Sequence, residues 1–94
     1  MKVGEVAIHY PHMSHREEFI ARVKLAVEVI RQTPGCLSAD CWVTEASDAV
    51  VSTVQSESED ALAASFATAK AAGVDFTYDE RESRPREILR LVSV

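Results

Sequence analysis

CLSADCWVTEASDAVVSTVQ, residues 36–55, is the stretch whose reading decides the fold. Two runs of β-forming residues, 36–46 and 49–55, flank Ser47-Asp48. Asp and Ser favour turns because their side chains bond to nearby backbone, so the segment reads as two strands joined by a hairpin. Immediately upstream, Pro34-Gly35 ends whatever precedes it, since Pro disfavours a helical residue before it and Gly permits a left-handed turn. What precedes it is helical: over residues 14–33, Phe19, Val23, Ala26, Val27 and Ile30 recur at helical spacing and mark one buried stripe. Ser14 with Glu17 three positions on is a capping-box signature for its start. Downstream, Ser56-Glu57-Ser58-Glu59 offers a second such box. It opens a helix whose face is Leu62, Phe66 and Ala69 and whose C-terminal cap is Gly73. Seven alanines between 61 and 72 make that helix thin, so it can approach a sheet closely or leave space beneath it.

The outer segments complete the pattern. Residues 2–10 (KVGEVAIHY) and 86–94 (REILRLVSV) read as strands, and 74–85 as a charged, irregular loop. The order is βαββαβ, the split-βαβ plan. The expected fold is α+β and ferredoxin-like: a four-stranded antiparallel sheet with two helices on one face, one domain spanning 1–94.

Composition narrows the function classes. The chain has 94 residues, 47% hydrophobic, and a formal net charge of −5. Acidity weighs against nucleic-acid binding, which draws on a basic surface. Arg81, Arg84 and Arg86 are interleaved with Asp79, Glu80, Glu82 and Glu87, giving a mixed surface and no phosphate-binding stripe. Cys36 and Cys41 lie in one expected strand, about 17 Å apart at roughly 3.3 Å per residue, too far for a disulfide. Their odd spacing places them on opposite faces. Two free thiols, no signal-peptide pattern and no membrane-length apolar run lead to the expectation of a cytoplasmic protein away from membranes.

Each strand is apolar at both odd and even positions, yet two helices cover one face only. The uncovered face would exceed the apolar patch a monomer tolerates, so a homodimer packed face to face is expected. The alternative, a monomer with a loop over that face, lacks a loop long and apolar enough.

Among chemistry-bearing residues, His9, His12 and His15 fall in HYPHMSH. Zinc needs three or four converging ligands, and no acidic or cysteine partner adjoins these, so surface histidines are expected and no metal. His9 can instead point into a pocket as a general base, since imidazole titrates near neutrality. Ser38, Asp40, Trp42 and Thr44 share one strand face. Read functionally, they form a polar strip and aromatic platform for a planar phenolic substrate, with Asp40 a second candidate proton acceptor. Read structurally, Trp42 anchors a dimer interface. Arg90 can hold a carboxylate or enolate, or pair with Glu5 or Asp40 within the sheet. Tyr78 can cover a pocket. No nucleophile elbow, phosphate loop, dinucleotide fingerprint or CxxC pair is present.

A long first helix ending in Pro34-Gly35-Cys36-Leu37, then a hairpin, then Glu57-Ser58-Glu59-Asp60-Ala61-Leu62 opening a second helix, resembles the antibiotic biosynthesis monooxygenase family. The resemblance covers nearly the whole chain and implies a dimeric α+β barrel with a small pocket between sheet and helices. Its catalytic members oxygenate electron-rich aromatic substrates without metal or flavin, the substrate anion donating electrons to dioxygen. The chain departs from the family pattern where members often carry a glutamate and a tryptophan, here Val54 and Ser56, and a histidine, here Ser65. It has no asparagine, a residue the oxygenase and haem-degrading branches use, so haem degradation is not expected. The resemblance implies a cofactor-independent monooxygenase-like protein acting on a small aromatic or quinol-like metabolite, with no cofactor. Its candidate residues are His9 and Asp40 for catalysis and Trp42, Ser38, Tyr78 and Arg90 for substrate. The alternative is a non-catalytic dimer that binds a small ligand or serves assembly.

Overall fold

The computed structural model describes all of residues 1–94. Its elements are β1 (Val3–His9), a 3-10 turn (Met13–His15), α1 (Arg16–Arg31), β2 (Cys36–Val43), β3 (Val50–Ser56), α2 (Glu59–Ala71) and β4 (Glu87–Val92). The sheet order is β2-β3-β1-β4, with every neighbouring pair antiparallel. This is the ferredoxin-like α+β plan.

Register decides which side chains meet the helices. Ala7 pairs with Ser52 and Ile88, and Ala39 with Val54. The helix face is therefore odd-numbered in β1 and β2 and even-numbered in β3 and β4. Against it, Phe19, Val23, Val27 and Ile30 from α1 and Leu62 and Ala69 from α2 join Val3, Ala39, Val50 and Val54 in one core. Burying side chains of this size contributes roughly 1.5–3 kcal/mol each, which makes this the main source of stability.

The helix ends follow local chemistry, with two differences from expectation. Ser58 caps α2, its hydroxyl accepting from Ala61 N at 3.1 Å. Ser56, expected to begin that cap, is still in β3, buried and paired with Val3. Ser14 caps nothing. The chain turns through backbone bonds instead, His12 N donating to Arg81 O and His15 N to His12 O, so α1 begins at Arg16 without a side-chain cap. Past α2, Gly73 adopts φ +91, and Val74 N donates back to Ala69 O, closing the helix. Gly35 has φ +84, and a Cβ there would sit 2.7 Å from the Ala61 Cβ. This glycine therefore lets the loop before β2 pass against the start of α2.

The cysteines are also placed differently. A bulge between Cys36 and Ser38 shifts the pairing by one residue, so Cys36 and Cys41 both face the helices and pack against the core. Both thiols are free, and burial raises both pKa values. The opposite-face expectation fails because simple alternation does not survive a bulge.

On the other face, Trp42 is 56% exposed, and Leu89 and Leu91 are each 50% exposed. Val6, Ile8 and Val51 lie between them by register. No helix of the chain is long and apolar enough to cross a membrane.

Candidate active site

Between α1, the segment following α2 and the β1–β3–β4 side of the sheet lies a cavity of about 270 Å³. From α2 itself only Phe66 reaches it. Ala26, Val27, Ile30, Val54, Phe66 and Phe76 are among the apolar residues that line it, and Glu5, His9, Arg22, Ser52, Asp75 and Arg86 are polar. Roughly 150 Å³ of apolar space holds benzene, so this volume suits one substituted ring.

His9 ends β1 on the helix face and is almost fully buried. Its Nδ1 lies 3.3 Å from Glu82 Oε1, and its ring sits 5.9 Å from that of Phe19. The side chain of Glu82 is completely buried, and its other oxygen accepts from Arg86 Nη2. A carboxylate only accepts hydrogen bonds, so Nδ1 carries the proton and neutral His9 keeps its lone pair on Nε2. No protein group bonds to Nε2. Burial, then the charge of Arg86, holds the His9 pKa below its ordinary 6.5, against the opposing pull of Glu82. The imidazole is thus a neutral base at pH 7, oriented by a buried carboxylate.

Two guanidinium groups stand beside it. Arg22, from α1, donates from Nη2 to Thr77 O at 2.5 Å and lies 4.5 Å over the Phe19 ring. Arg86 donates to Phe76 O and to the same Thr77 O, both at 3.0 Å. The pKa of Arg22 is lowered, chiefly by burial and in part by its like-charged neighbours Arg86 and Arg81.

Of the residues singled out from sequence, His9 alone lines this cavity directly. Arg90 donates to Glu5 Oε1 at 2.7 Å, and Glu5 lines the cavity. Tyr78 is half exposed, its ring 5.5 Å from the Arg86 guanidinium carbon. Ser38, Asp40 and Trp42 pair with Gln55, Thr53 and Val51 on the opposite face, where Trp42 Nε1 donates to Thr53 Oγ1 at 2.9 Å. Asp40 lies 3.8 Å from Arg31. His12 is exposed, and His15 contacts Glu18 at 3.1 Å. No three His, Cys, Asp or Glu side chains are grouped to hold a metal. At the positions where the family pattern is absent, Val54 lines the cavity, while Ser65 is buried and donates to Leu62 O at 2.7 Å. Ser56 Oγ is buried without a partner.

Sequence reading missed Glu82, Arg86 and Arg22. The first two sit in a run of alternating charge that resembles a solvated surface, and Glu82 lies 73 positions from His9. The antibiotic biosynthesis monooxygenase family model matches residues 5–72, most of the chain. The chain belongs to that family. A comparison with curated proteins finds no match. Among solved structures, Rv0793 from Mycobacterium tuberculosis is 20% identical with a TM-score of 0.80, covering 100% of this chain and 96% of that one. A structure described as an antibiotic biosynthesis monooxygenase is 17% identical, TM-score 0.82, with 98% of both chains covered. A conserved protein from Methanosarcina mazei is 14% identical, TM-score 0.83, covering 97% of this chain and 91% of that one. At such identities these likenesses establish the fold.

Proposed function

We propose that this member of the family is a cofactor-independent monooxygenase whose active site is the His9 cavity. Its substrate is a small aromatic or quinol-like molecule. The observation that carries the reading is a neutral imidazole on an apolar cavity, with Nδ1 held by a buried carboxylate and Nε2 unoccupied. His9 Nε2 takes a proton from the substrate, and the guanidinium groups of Arg22 and Arg86 favour the resulting anion. That anion supplies the electrons to dioxygen. One oxygen atom enters the product and the other leaves as water: an aromatic ring C–H, present as CH2 in the keto tautomer that the anion reaches, becomes C=O, CH2 + O2 → C=O + H2O. The apolar walls exclude bulk water, which strengthens the charge interactions within.

In this reading the protein is a cytoplasmic homodimer. The sheet face bearing Trp42, Leu89 and Leu91 meets its symmetry mate, and Ser38 and Asp40 border that interface. Asp40 is then an interface acid that pairs with Arg31, and proton transfer falls to His9.

The second reading, a non-catalytic ligand-binding dimer, is favoured by Val54, Ser56 and Ser65, which stand where relatives often carry working side chains. An oxygen electrode separates the two. Chelator-treated protein is given single-ring quinols and phenols. Saturable oxygen uptake with product carrying one atom of labelled oxygen supports the oxygenase. Saturable binding without uptake supports the ligand-binding module and overturns the oxygenase.

A further inference from the structure

Two hydrogen-bond acceptors stand at opposite ends of the cavity floor. Glu5, Ala7 and His9 alternate along β1, so all three side chains face the helices, and all three line the cavity. Glu5 and His9 are four residues apart, about 13 Å along a strand. Small Ala7 lies between them, paired with Ser52 on one side and Ile88 on the other, which keeps the floor low.

The proposed chemistry uses one of these acceptors, His9 Nε2. The other is an oxygen of Glu5. Glu5 Oε1 accepts from Arg90 Nε at 2.7 Å, which fixes the carboxylate, and the side chain is mostly buried. Oε2 has no partner within the protein. Both it and His9 Nε2 keep accessible surface beside the cavity that their residues line. A carboxylate oxygen only accepts, so what it can take from a ligand is a donor. The other polar groups of the lining do not make the same demand. Arg22 and Arg86 only donate, and both oxygens of Asp75 already accept, from Thr77 N and Arg81 Nη2. The Ser52 hydroxyl both donates and accepts, so it selects neither.

A ring with a hydroxyl at each end, hydrogen-bonded at both, spans about 11 Å at ordinary hydrogen-bond lengths. That matches two side chains rising from a strand about 13 Å apart. A ring with a hydroxyl at one end only leaves Oε2 unpaired inside a filled cavity, at the desolvation cost of a charged acceptor.

We propose that Glu5 is a specificity residue: its Oε2 accepts from a hydroxyl or amino group para to the hydroxyl that His9 deprotonates. This rests on the reading of the cavity as a ligand site. It narrows the substrate from any small phenol to one with a second donor at the far end of the ring.

The test compares hydroquinone with 4-methylphenol, in which a methyl group of similar size replaces one hydroxyl. Each is titrated under argon into full-length protein at pH 7 and followed by backbone ¹⁵N and side-chain carboxyl ¹³C NMR. Hydroquinone is expected to bind roughly tenfold to a hundredfold more tightly, and it alone to shift the Glu5 carboxyl signal, while both probes shift the Ala7 amide. In Glu5→Gln, Arg90 keeps the amide oxygen and the NH2 group turns a donor to the cavity. Hydroquinone is then expected to lose its advantage, and 4-hydroxyacetophenone, whose para group only accepts, to gain affinity. A merely structural role for Glu5 would weaken all three probes alike. Because the wild-type comparison needs no variant, a variant that fails to fold leaves the test intact. Equal affinity of hydroquinone and 4-methylphenol, both in the cavity, overturns the role of Glu5 and leaves the oxygenase reading standing. So does an advantage that survives Glu5→Gln undiminished. Absence of both probes from the cavity overturns the cavity as a ligand site, and the role of Glu5 with it.

Discussion

Glu82→Gln removes one charge from a fully buried side chain while keeping its size. In the native protein Glu82 accepts from Arg86 and from His9, whose side chains are 18% and 11% exposed. Glutamine has one oxygen for those two donors, and its NH2 group must face the other. With the oxygen kept on Arg86, the NH2 group is satisfied only if His9 moves its proton to Nε2 so that Nδ1 accepts, and the Arg86 charge loses its counter-charge. Breaking a buried ion pair from one side costs about 3–5 kcal/mol, reduced here to about 2–4 kcal/mol because Arg86 retains some solvent. For a domain of this length that lowers Tm by roughly 10–25 °C. Urea unfolding followed by far-UV circular dichroism, at one fixed protein concentration, measures it. The same change lowers the His9 pKa further, because the hydrogen bond and charge of Glu82 are the influences that raise it, while burial, Arg86 and Arg22 remain. A histidine with a folded-state pKa below 6.5 binds fewer protons than the unfolded chain. Its contribution to stability is therefore present above pH 6.5 and is lost as pH falls towards the folded-state value. In Glu82→Gln this window of loss extends to lower pH. A variant within about 0.5 kcal/mol of wild type, far below the cost of a broken buried pair, would refute the reasoning. So would a His9 ring signal that titrates at higher pH.

Arg90→Gln breaks a pair of similar length on the edge strand, but Arg90 is 60% exposed. It should cost less than about 1 kcal/mol by the same urea assay. Trp42→Glu places a charge on the β2 side of the exposed apolar face. If the proposed dimer uses this face, light scattering after size exclusion should show it dissociating at protein concentrations roughly tenfold to a hundredfold higher than for wild type. Ser58→Ala removes the hydroxyl that caps α2 and should lower stability by about 1 kcal/mol without altering His9 titration.

The order of elements is legible because local signals are strong. Pro34-Gly35 punctuates the chain before β2, the apolar stripe of α1 has helical period, and Ser47-Asp48 between two runs of β-forming residues marks a turn. Capping is legible at Ser58, where the chain leaves β3 and enters α2 directly. It is misleading at Ser14, where backbone bonds to the 81–82 region shape the entry into α1 instead. Strand alternation places Ser38, Asp40 and Trp42 on one face correctly, but whether that face meets helices depends on register and on the bulge at Cys36. Sequence singles out His9 as a pocket base because imidazole titrates near neutrality. Its partner is a different matter: Glu82 is one acid within a charged loop, and only tertiary packing buries it. Arg22 reads as a polar position on an amphipathic helix, and its unsatisfied Nη1 emerges only once α1 lies against the 74–86 segment.

His9 is the residue whose loss tests the proposed chemistry most directly. Oxygen uptake by chelator-treated protein should be compared between wild type and His9→Gln, using whichever single-ring quinol gives the highest wild-type rate. Loss of a general base predicts a fall of about 10²–10⁴-fold in kcat, with substrate binding to the cavity retained by NMR. Equal rates in the two proteins would contradict a site built around this histidine.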